Sequence, residues 1–430
     1  LSDYIIDEDV QKAIDAINAR VPVVYIAGKA GSGKSSLIKY LTQTLNREYA
    51  LLSTTGISAM QIGGQTVNSF FWIPPRMIHE SEIKNRNDDT IKKLDLIIID
   101  EISMMRADSL DVCDKSLRKW KRINRPFADV QIVLVGDLFQ LAPIVGKADE
   151  AVFYDLYESP FFFSANVFKE VDVETIELRT VYRQKDPEFL AALNNIRTKT
   201  NLKETLAYIN KNCYKKASDD MLTLAPTNKI IDQINLEGLA KIKSQEFEYV
   251  GVKMGKFGLD GDKLPAPEHL VLKVGAKVMI TKNGEFAVNG DIAVVEGCGQ
   301  NYVDVRLASN GLLVKLNKTK WEAFEYSYDK ESKHIEAHVT GTYTQIPLTL
   351  CYGLTVHKCQ GLTLQEAKLN LGNYVFAPGL TYVGLSRITD MKNLRLVNPI
   401  RERDIIIDDR IIAFYKMNVE KEDTPNEPIR

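Results

Sequence analysis

Residues 21–41 read "VPVVYIAGKAGSGKSSLIKYL". A short apolar run gives way to a glycine-rich turn and then to apolar residues at helical spacing. Strand, turn and helix in that order are the setting a phosphate-binding loop requires, and "GKAGSGKS" (28–35) fits G-x-x-x-x-G-K-[ST] at every fixed position. Gly28, Gly31 and Gly33 allow backbone N–H groups to close around phosphates. Lys34 has the reach for the β- and γ-phosphates, and the Ser35 hydroxyl is a ligand for Mg²⁺. Ala30, Ser32 and Ser36 complete the set expected to touch ATP.

Outward from this loop the same grammar repeats. "YALLSTT" (49–55), "LDLIIID" (94–100) and "VQIVLVGD" (130–137) are short apolar runs that end in polar residues. Apolar strands alternating with helices indicate a parallel sheet covered on both faces. The pattern returns at 221–228, 367–372 and 393–399, so the chain reads as two α/β domains. Between them, residues 245–345 are rich in Gly, Val, Tyr and Thr, with short alternating runs such as "YVDVRL". That texture predicts a small antiparallel β-barrel inserted in the second domain. The expected division is 1–170, with a small wedge insert near 62–90, then 171–244 with 346–416, the insertion 245–345, and a charged tail 417–430.

"LIIIDE" (96–101) supplies the partner of the phosphate loop. Asp100 ends a strand, where it can hold the Mg²⁺ shell, and Glu101 is placed to act as general base for the attacking water. Gln140, three residues past Asp137 at the next strand tip, can bond the γ-phosphate or that water. A GTPase would carry an NKxD tetrad, but 228–232 read "NKIID" with the acid one place late. A ring ATPase would follow its sensor strand with a helical lid, not with a second α/β domain. A nucleic-acid motor of two RecA-like halves would need groups on both halves that contact nucleotide or strand.

Composition is consistent with this. The chain has 430 residues, 45% hydrophobic and 26% charged, with net charge −2. Any polyanion site is therefore a local surface. The five cysteines form no CxxC pair, which suits a reducing compartment. No apolar run approaches membrane-spanning length, and the acidic opening "LSDYIIDEDV" is unlike a secretory or transit peptide. A start at Leu suggests a trimmed chain. A cytoplasmic protein of bacterial or phage origin, without a membrane partner, is expected.

The chain resembles the Pif (petite integration frequency) family of superfamily-one class B DNA helicases. The resemblance runs in order through "GKAGSGKS", "LSTTGISAM", "GGQTVNSFF", "IIIDEISM", "PFADVQIVLVGDLFQLAPI", "ELRTVYRQKD", "LAPTN", "VGAKVMITKN…VNG", "YGLTVHKCQGLTL" and "TYVGLSR". Two positions depart from the family pattern: Ala128 and Asp129 stand where a glycine pair is usual, and Asn68 stands where His is usual.

The resemblance implies an α/β fold of two RecA-like P-loop domains, the second interrupted by a small SH3-like β-barrel. It also implies arginine fingers at Arg183 and Arg387, adenine reading by Gln11, and ATP-side contacts at Gln360 and Gly361. It implies single-strand contacts at Thr54, Thr55, Asn68, Ser69, Phe70, Asn228, Asn289, Thr355, His357, Lys358 and Thr363. Phe70, Phe71 or Trp72 would stack on bases, with at least one of these rings in the core. "IPPRMIHE" (73–80) would form a wedge at a duplex junction. "KSLRKWKRINR" (115–125) reads mostly as a solvated basic helix face, and "KLNKTK" (315–320) as a second basic patch. The implied activity is ATP- and Mg²⁺-dependent translocation, 5′→3′, of a monomer on single-stranded DNA. Duplex unwinding follows, extending to G-quadruplexes and RNA–DNA hybrids, with roles in DNA repair, recombination and telomere maintenance. A RecD-like or phage-type class B helicase, or an ATPase switch that binds nucleic acid without moving, is the alternative. Stimulation of turnover by single strands separates the last of these.

Overall fold

The structure, a computed structural model, describes residues 5–74, 76–184, 186–218, 221–328, 335–360 and 362–419. Gly361, Pro75 of the expected wedge, and the tail from 420 onward lie outside the described residues. The chain divides into two compact units, 1–182 with 324–338 and 407–430, and 183–323 with 339–406.

The first unit is built on a six-stranded parallel sheet. Its strands are β1 (Val23–Gly28), β2 (Tyr49–Ser53), β3 (Gln65–Thr66), β4 (Leu96–Asp100), β5 (Gln131–Gly136) and β6 (Glu174–Leu178), in the order β3-β2-β4-β5-β1-β6. Every residue of β1, β4 and β5 is buried, as the unbroken apolar runs require of strands covered on both faces. Their register pairs Ala27 with Gly136, Ile99 with Leu134 and Ser53 with Asp100. The phosphate loop, Asp100 and the turn after β5 therefore leave one edge of the sheet, the place where open α/β sheets bind ligands. Around the sheet run α1 (Glu8–Asn18), α2 (Lys34–Thr44), α3 (Gly56–Gln61), α4 (Val67–Phe71), α5 (Asp89–Lys93), α6 (Ala107–Lys121) and α7 (Glu150–Leu156). Leu37, Ile38 and Leu41 form the buried stripe of α2 at i, i+1 and i+4 spacing.

The second unit holds a four-stranded parallel sheet. It is formed by β7 (Thr223–Ala225), β18 (Gly353–Thr355), β19 (Ala367–Leu369) and β20 (Leu394–Leu396), ordered β18-β7-β19-β20. Helices α8 (Pro187–Thr198), α9 (Leu202–Cys213), α10 (Asn228–Ala240) and α11 (Leu380–Ser386) belong with it. Between β7 and β18 the chain makes β8 (Glu246–Val250), β9 (Val252–Gly255), β10 (His269–Lys273), β11 (Lys277–Ile280), β12 (Ile292–Cys298), β13 (Tyr302–Leu307), β14 (Leu313–Asn317), β15 (Thr319–Tyr328), β16 (Ile335–Gln345) and β17 (Leu348–Leu350). Five of these form an antiparallel sheet, β14-β13-β12-β11-β17, while β8 pairs β10 and β16 lies between β15 and β9. Val278, Ile280, Val295, Val305 and Leu348 share one buried cluster, on the inward positions that alternation in these strands predicts.

The closing helix α12 (Asp409–Asn418) departs from the expected division. It groups with the first unit, because Phe414 stacks on Phe163 at 4.4 Å and Tyr415 bonds Glu177 and meets Phe139 edge-on. Four of the five cysteines, 113, 213, 351 and 359, are buried, and none is in a disulfide. No helix among the described residues is long and apolar enough to cross a membrane.

Candidate functional site

The phosphate loop needs glycine at two positions for identifiable reasons. Gly33 caps α2 with φ +86°, a left-handed conformation, and at Gly28 a Cβ would lie 2.3 Å from the Ser32 hydroxyl. Lys34 donates from Nζ to the carbonyls of Gly28 (2.8 Å) and Lys29 (3.0 Å), so its ammonium is tethered across the loop. Ser32 is buried, yet its hydroxyl has no protein partner. An orphaned hydroxyl inside a ring of backbone N–H groups suits a phosphate oxygen. Ala30 is buried beside it, and Ser35 and Ser36 are exposed in the first turn of α2.

Asp100 is buried at the end of β4. Burial, with the neighbouring Glu101 charge, pushes its pKa up to about 7. Glu101 donates its backbone N–H to the Asp100 carboxylate (2.9 Å) and sits in the left-handed region at φ 54°, ψ 41°. That conformation is costly for a residue with a Cβ and is concentrated at functional sites. Gln140 is buried in the turn after β5 and donates to Asp137 at 3.4 Å. Among the described residues no group of three His, Cys, Asp or Glu side chains could hold a metal. The hydroxyl of Ser35 and the carboxylate of Asp100 are oxygen donors of the kind Mg²⁺ takes, one or two from protein with water and phosphate oxygens completing its shell. Ser35 and Asp100 would hold it, and its charge would relieve the buried carboxylate.

One residue of this unit escapes a reading of the sequence. Tyr182 donates its backbone N–H to the Gly31 carbonyl (2.9 Å), and its ring edge lies 3.5 Å from where a Gly33 Cβ would be. Its hydroxyl bonds Asp7 (3.2 Å). Its place next to Arg183 in "VYRQ" is the only local signal. Gln11 is exposed on α1 and donates to Asp15 at 2.8 Å. Nearby, Asp9 accepts from Arg179; burial opposes the ionised carboxyl, but the bonds to Arg179 hold its pKa below the ordinary value.

The expected strand-binding groups of the first unit follow β2 and β3. Thr54 donates to the Glu101 carbonyl (2.9 Å), tying this loop to the candidate base. Thr55 caps α3 and bonds Ser58. Asn68 and Ser69 are exposed; Asn68 donates to the Ile73 carbonyl, and Ser69 accepts from Gln65. Phe70 is only 1% exposed, so its ring is covered rather than presented. It meets Phe71, Phe71 stacks on Trp120, and the Arg86 guanidinium lies 5.0 Å from the Phe70 centroid. Trp72, 39% exposed, is the ring left at the surface. Most of the basic run 115–125 is exposed, as expected: Lys115, Lys119, Arg122 and Arg125 face solvent, while Arg118 and Lys121 are half-buried. Lys119 bonds Ile83 O, Trp120 bonds Lys84 O, Lys121 bonds Leu94 O and Arg118 pairs with Asp114. Lys119, Trp120 and Lys121 thus donate to carbonyls of the segment between α4 and β4.

In the second unit Thr355 ends β18, buried, and accepts from the Lys358 N–H (3.2 Å). His357 and Gln360 are half-buried, and Lys358 and Thr363 are exposed. Burial lowers the His357 pKa. Asn228 is exposed at the start of α10, and Asn289 lies in the turn 283–290. Arg387 is 1% exposed and spends its donors on Val383 O (2.9 Å), Leu362 O (3.4 Å) and Ser386 Oγ (2.8 Å). Arg183 reaches the Ser386 carbonyl at 3.5 Å. The two expected fingers thus converge on Ser386.

A phosphate loop, a strand ending in Asp-Glu, a glutamine turn after the next strand and a second parallel-sheet unit with paired arginines define a P-loop ATPase of the helicase class. The chain belongs to the PIF1-like helicase family. The family model of that description matches residues 6–209. A crystal structure of Bacteroides sp Pif1 in complex with ADP-AlF4 is 32% identical, with a TM-score of 0.89 over 98% of each chain. Bacteroides Pif1 bound to ssDNA is 32% identical, with a TM-score of 0.72 over 97% of this chain and 98% of that one. The ATP-dependent DNA helicase Pif1 of Bdellovibrio bacteriovorus is 28% identical over 410 residues, 91% of this chain and 88% of the relative.

Proposed function

We infer that the chain is an ATP-dependent DNA helicase that couples ATP hydrolysis to movement along single-stranded DNA. The observation that carries this is the phosphate cradle, with its orphaned Ser32 hydroxyl, on the same sheet edge as buried Asp100 and strained Glu101. Lys34 exchanges its two carbonyl partners for the β- and γ-phosphates. Ser35 and Asp100 would hold Mg²⁺, which would supply charge neutralisation on the phosphate oxygens. Glu101 takes the proton of the attacking water, and Gln140 orients that water. Tyr182 lies against the adenine side of the loop, with Gln11 reading the base edge. Arg183 and Arg387 leave Ser386 and Val383 to neutralise transition-state charge, an effect worth about 10³–10⁵ in rate. Gln360 and Gly361 serve the ATP side.

Strand phosphates are gripped by Thr54, Thr55, Asn68 and Ser69 in one unit and by Asn228, Asn289, Thr355, His357, Lys358 and Thr363 in the other. Thr54, bonded to Glu101, links grip and chemistry. Movement is 5′→3′, the working unit is a single chain, and forked duplexes and G-quadruplexes are the expected targets. ATPase rates with and without oligothymidine, and unwinding of blunt, 5′-tailed and 3′-tailed duplexes, test this. Strong stimulation with unwinding of the 5′-tailed duplex alone is expected. Turnover indifferent to single strands would reduce the protein to a nucleic-acid-binding switch.

A further inference from the structure

The turn 283–290 reads "NGEFAVNG", and at its tip Phe286 is 60% exposed and Val288 55% exposed. A lone exposed apolar side chain is ordinary on a protein surface. This one is held by a turn with little freedom. Gly284 N–H donates to Ala287 O (2.8 Å), Asn289 N–H to Asn283 Oδ1 (2.8 Å), Val288 N–H to Asp291 Oδ2 (2.8 Å) and Gly290 N–H to Ile280 O (2.9 Å). Between the two exposed residues, Ala287 is buried in the core of the antiparallel sheet and pins the turn from below.

The position is as telling as the rigidity. A Cβ on Gly290 would lie 3.5 Å from Leu362 Cδ2 and 4.0 Å from the Thr363 carbonyl, so the turn abuts the end of "TVHKCQGLT" within the same unit. Exposed Thr363 offers a phosphate donor there, and exposed Lys358 lies five residues earlier in the same segment. An aromatic ring beside donors that track a backbone is the composition of a single-strand platform, where any base can stack because every base has a π-face. A backbone already fixed by the turn loses little freedom on binding.

We propose that Phe286 stacks on an unpaired base of single-stranded DNA, with Val288 packing against the same base or its sugar. This rests on the strand-binding reading of Thr363 and Lys358. The test measures anisotropy of a labelled oligothymidine, and of the same oligomer with abasic sites, on the full chain. Phe286→Ala should weaken oligothymidine binding roughly 5- to 150-fold and leave abasic binding nearly unchanged. Phe286→Trp should bind as wild type, with emission quenched by oligothymidine and not by the abasic oligomer. Equal affinity of Phe286→Ala and wild type for oligothymidine would overturn the proposal. So would an equal loss on both oligomers, since the residue would then act through the turn. Failure of the wild-type chain to bind either oligomer would instead overturn the strand-binding reading beneath it.

Discussion

Glu101 combines two demands in one residue. Its left-handed backbone aims the carboxylate from the end of β4, and its charge raises the pKa of buried Asp100. Glu101→Gln keeps the shape and removes the base. ATP binding should survive, while turnover falls about 10²–10⁴-fold, read by nucleotide titration and phosphate release. Glu101→Gly should also lose turnover, yet stabilise the first unit by about 1 kcal/mol by relieving the positive φ. Urea midpoints of the two variants separate catalytic loss from strain. His357 carries a pH signature. Burial sets its folded pKa below the ordinary 6.5, so the unfolded chain binds the proton more readily between the two values. The stabilising contribution is complete above 6.5 and is lost as pH falls from there toward the folded pKa. Wild type should therefore lose more stability than His357→Gln when denaturant melts at neutral pH are compared with melts one to two units lower. The candidate phosphate loop from Gly28 to Ser35 and the strand end at Asp100 and Glu101 were legible in sequence as local structure, because contiguous residues fix the loop and its neighbouring strand. The strain at Glu101, the burial of Phe70 and the placement of Tyr182 over Gly33 were not, because each depends on residues distant in the chain.

Elements show where local rules and tertiary packing part. Strands β1, β4 and β5 follow directly from apolar runs bounded by polar residues. The basic run on α6 is solvated over most of its length, as charge density on a helix usually is, yet Lys119, Trp120 and Lys121 also donate to carbonyls of a segment about thirty residues earlier, which only the tertiary fold brings near. After α6, Phe127, Ala128 and Asp129 all have positive φ (50°, 51° and 62°), at the site where the family usually has a glycine pair. Asp114 accepts the Phe127 N–H, and Arg125 pairs with Asp129, so side chains hold a bend that glycine would adopt freely. A cleaner case ends α8. Lys199 is exposed, has φ 59°, and closes the helix through N–H bonds to Asn195 O and Ile196 O. Lys199→Gly should raise the stability of the second unit by about 1 kcal/mol without changing ATP turnover, seen as a shifted thermal midpoint.

The whole molecule is nearly neutral, at net charge −2 with 55 basic and 57 acidic residues. Strand binding must then come from a local surface, and salt should report its size. Affinity for oligothymidine is expected to fall with salt along a log–log slope of about −0.7 per phosphate contact. A flat dependence between low and high salt would exclude a phosphate-tracking groove. The division into two units means that one melting temperature need not describe the chain, since each unit has its own core. The burial of the cysteines turns that division into something a chemist can time. Burial raises the thiols of Cys213 and Cys359 to about 11 and that of Cys351 to about 12, and it lifts Cys113 well above its ordinary value. An alkylating reagent consumes thiolate, so each of these sites is silent until its surroundings open. Cys113 belongs to the first unit and the other three to the second. Mass-resolved alkylation would thus act as a pair of clocks built into the native sequence, one per unit, and a nucleotide or an oligomer that steadies only one unit would slow only one of them.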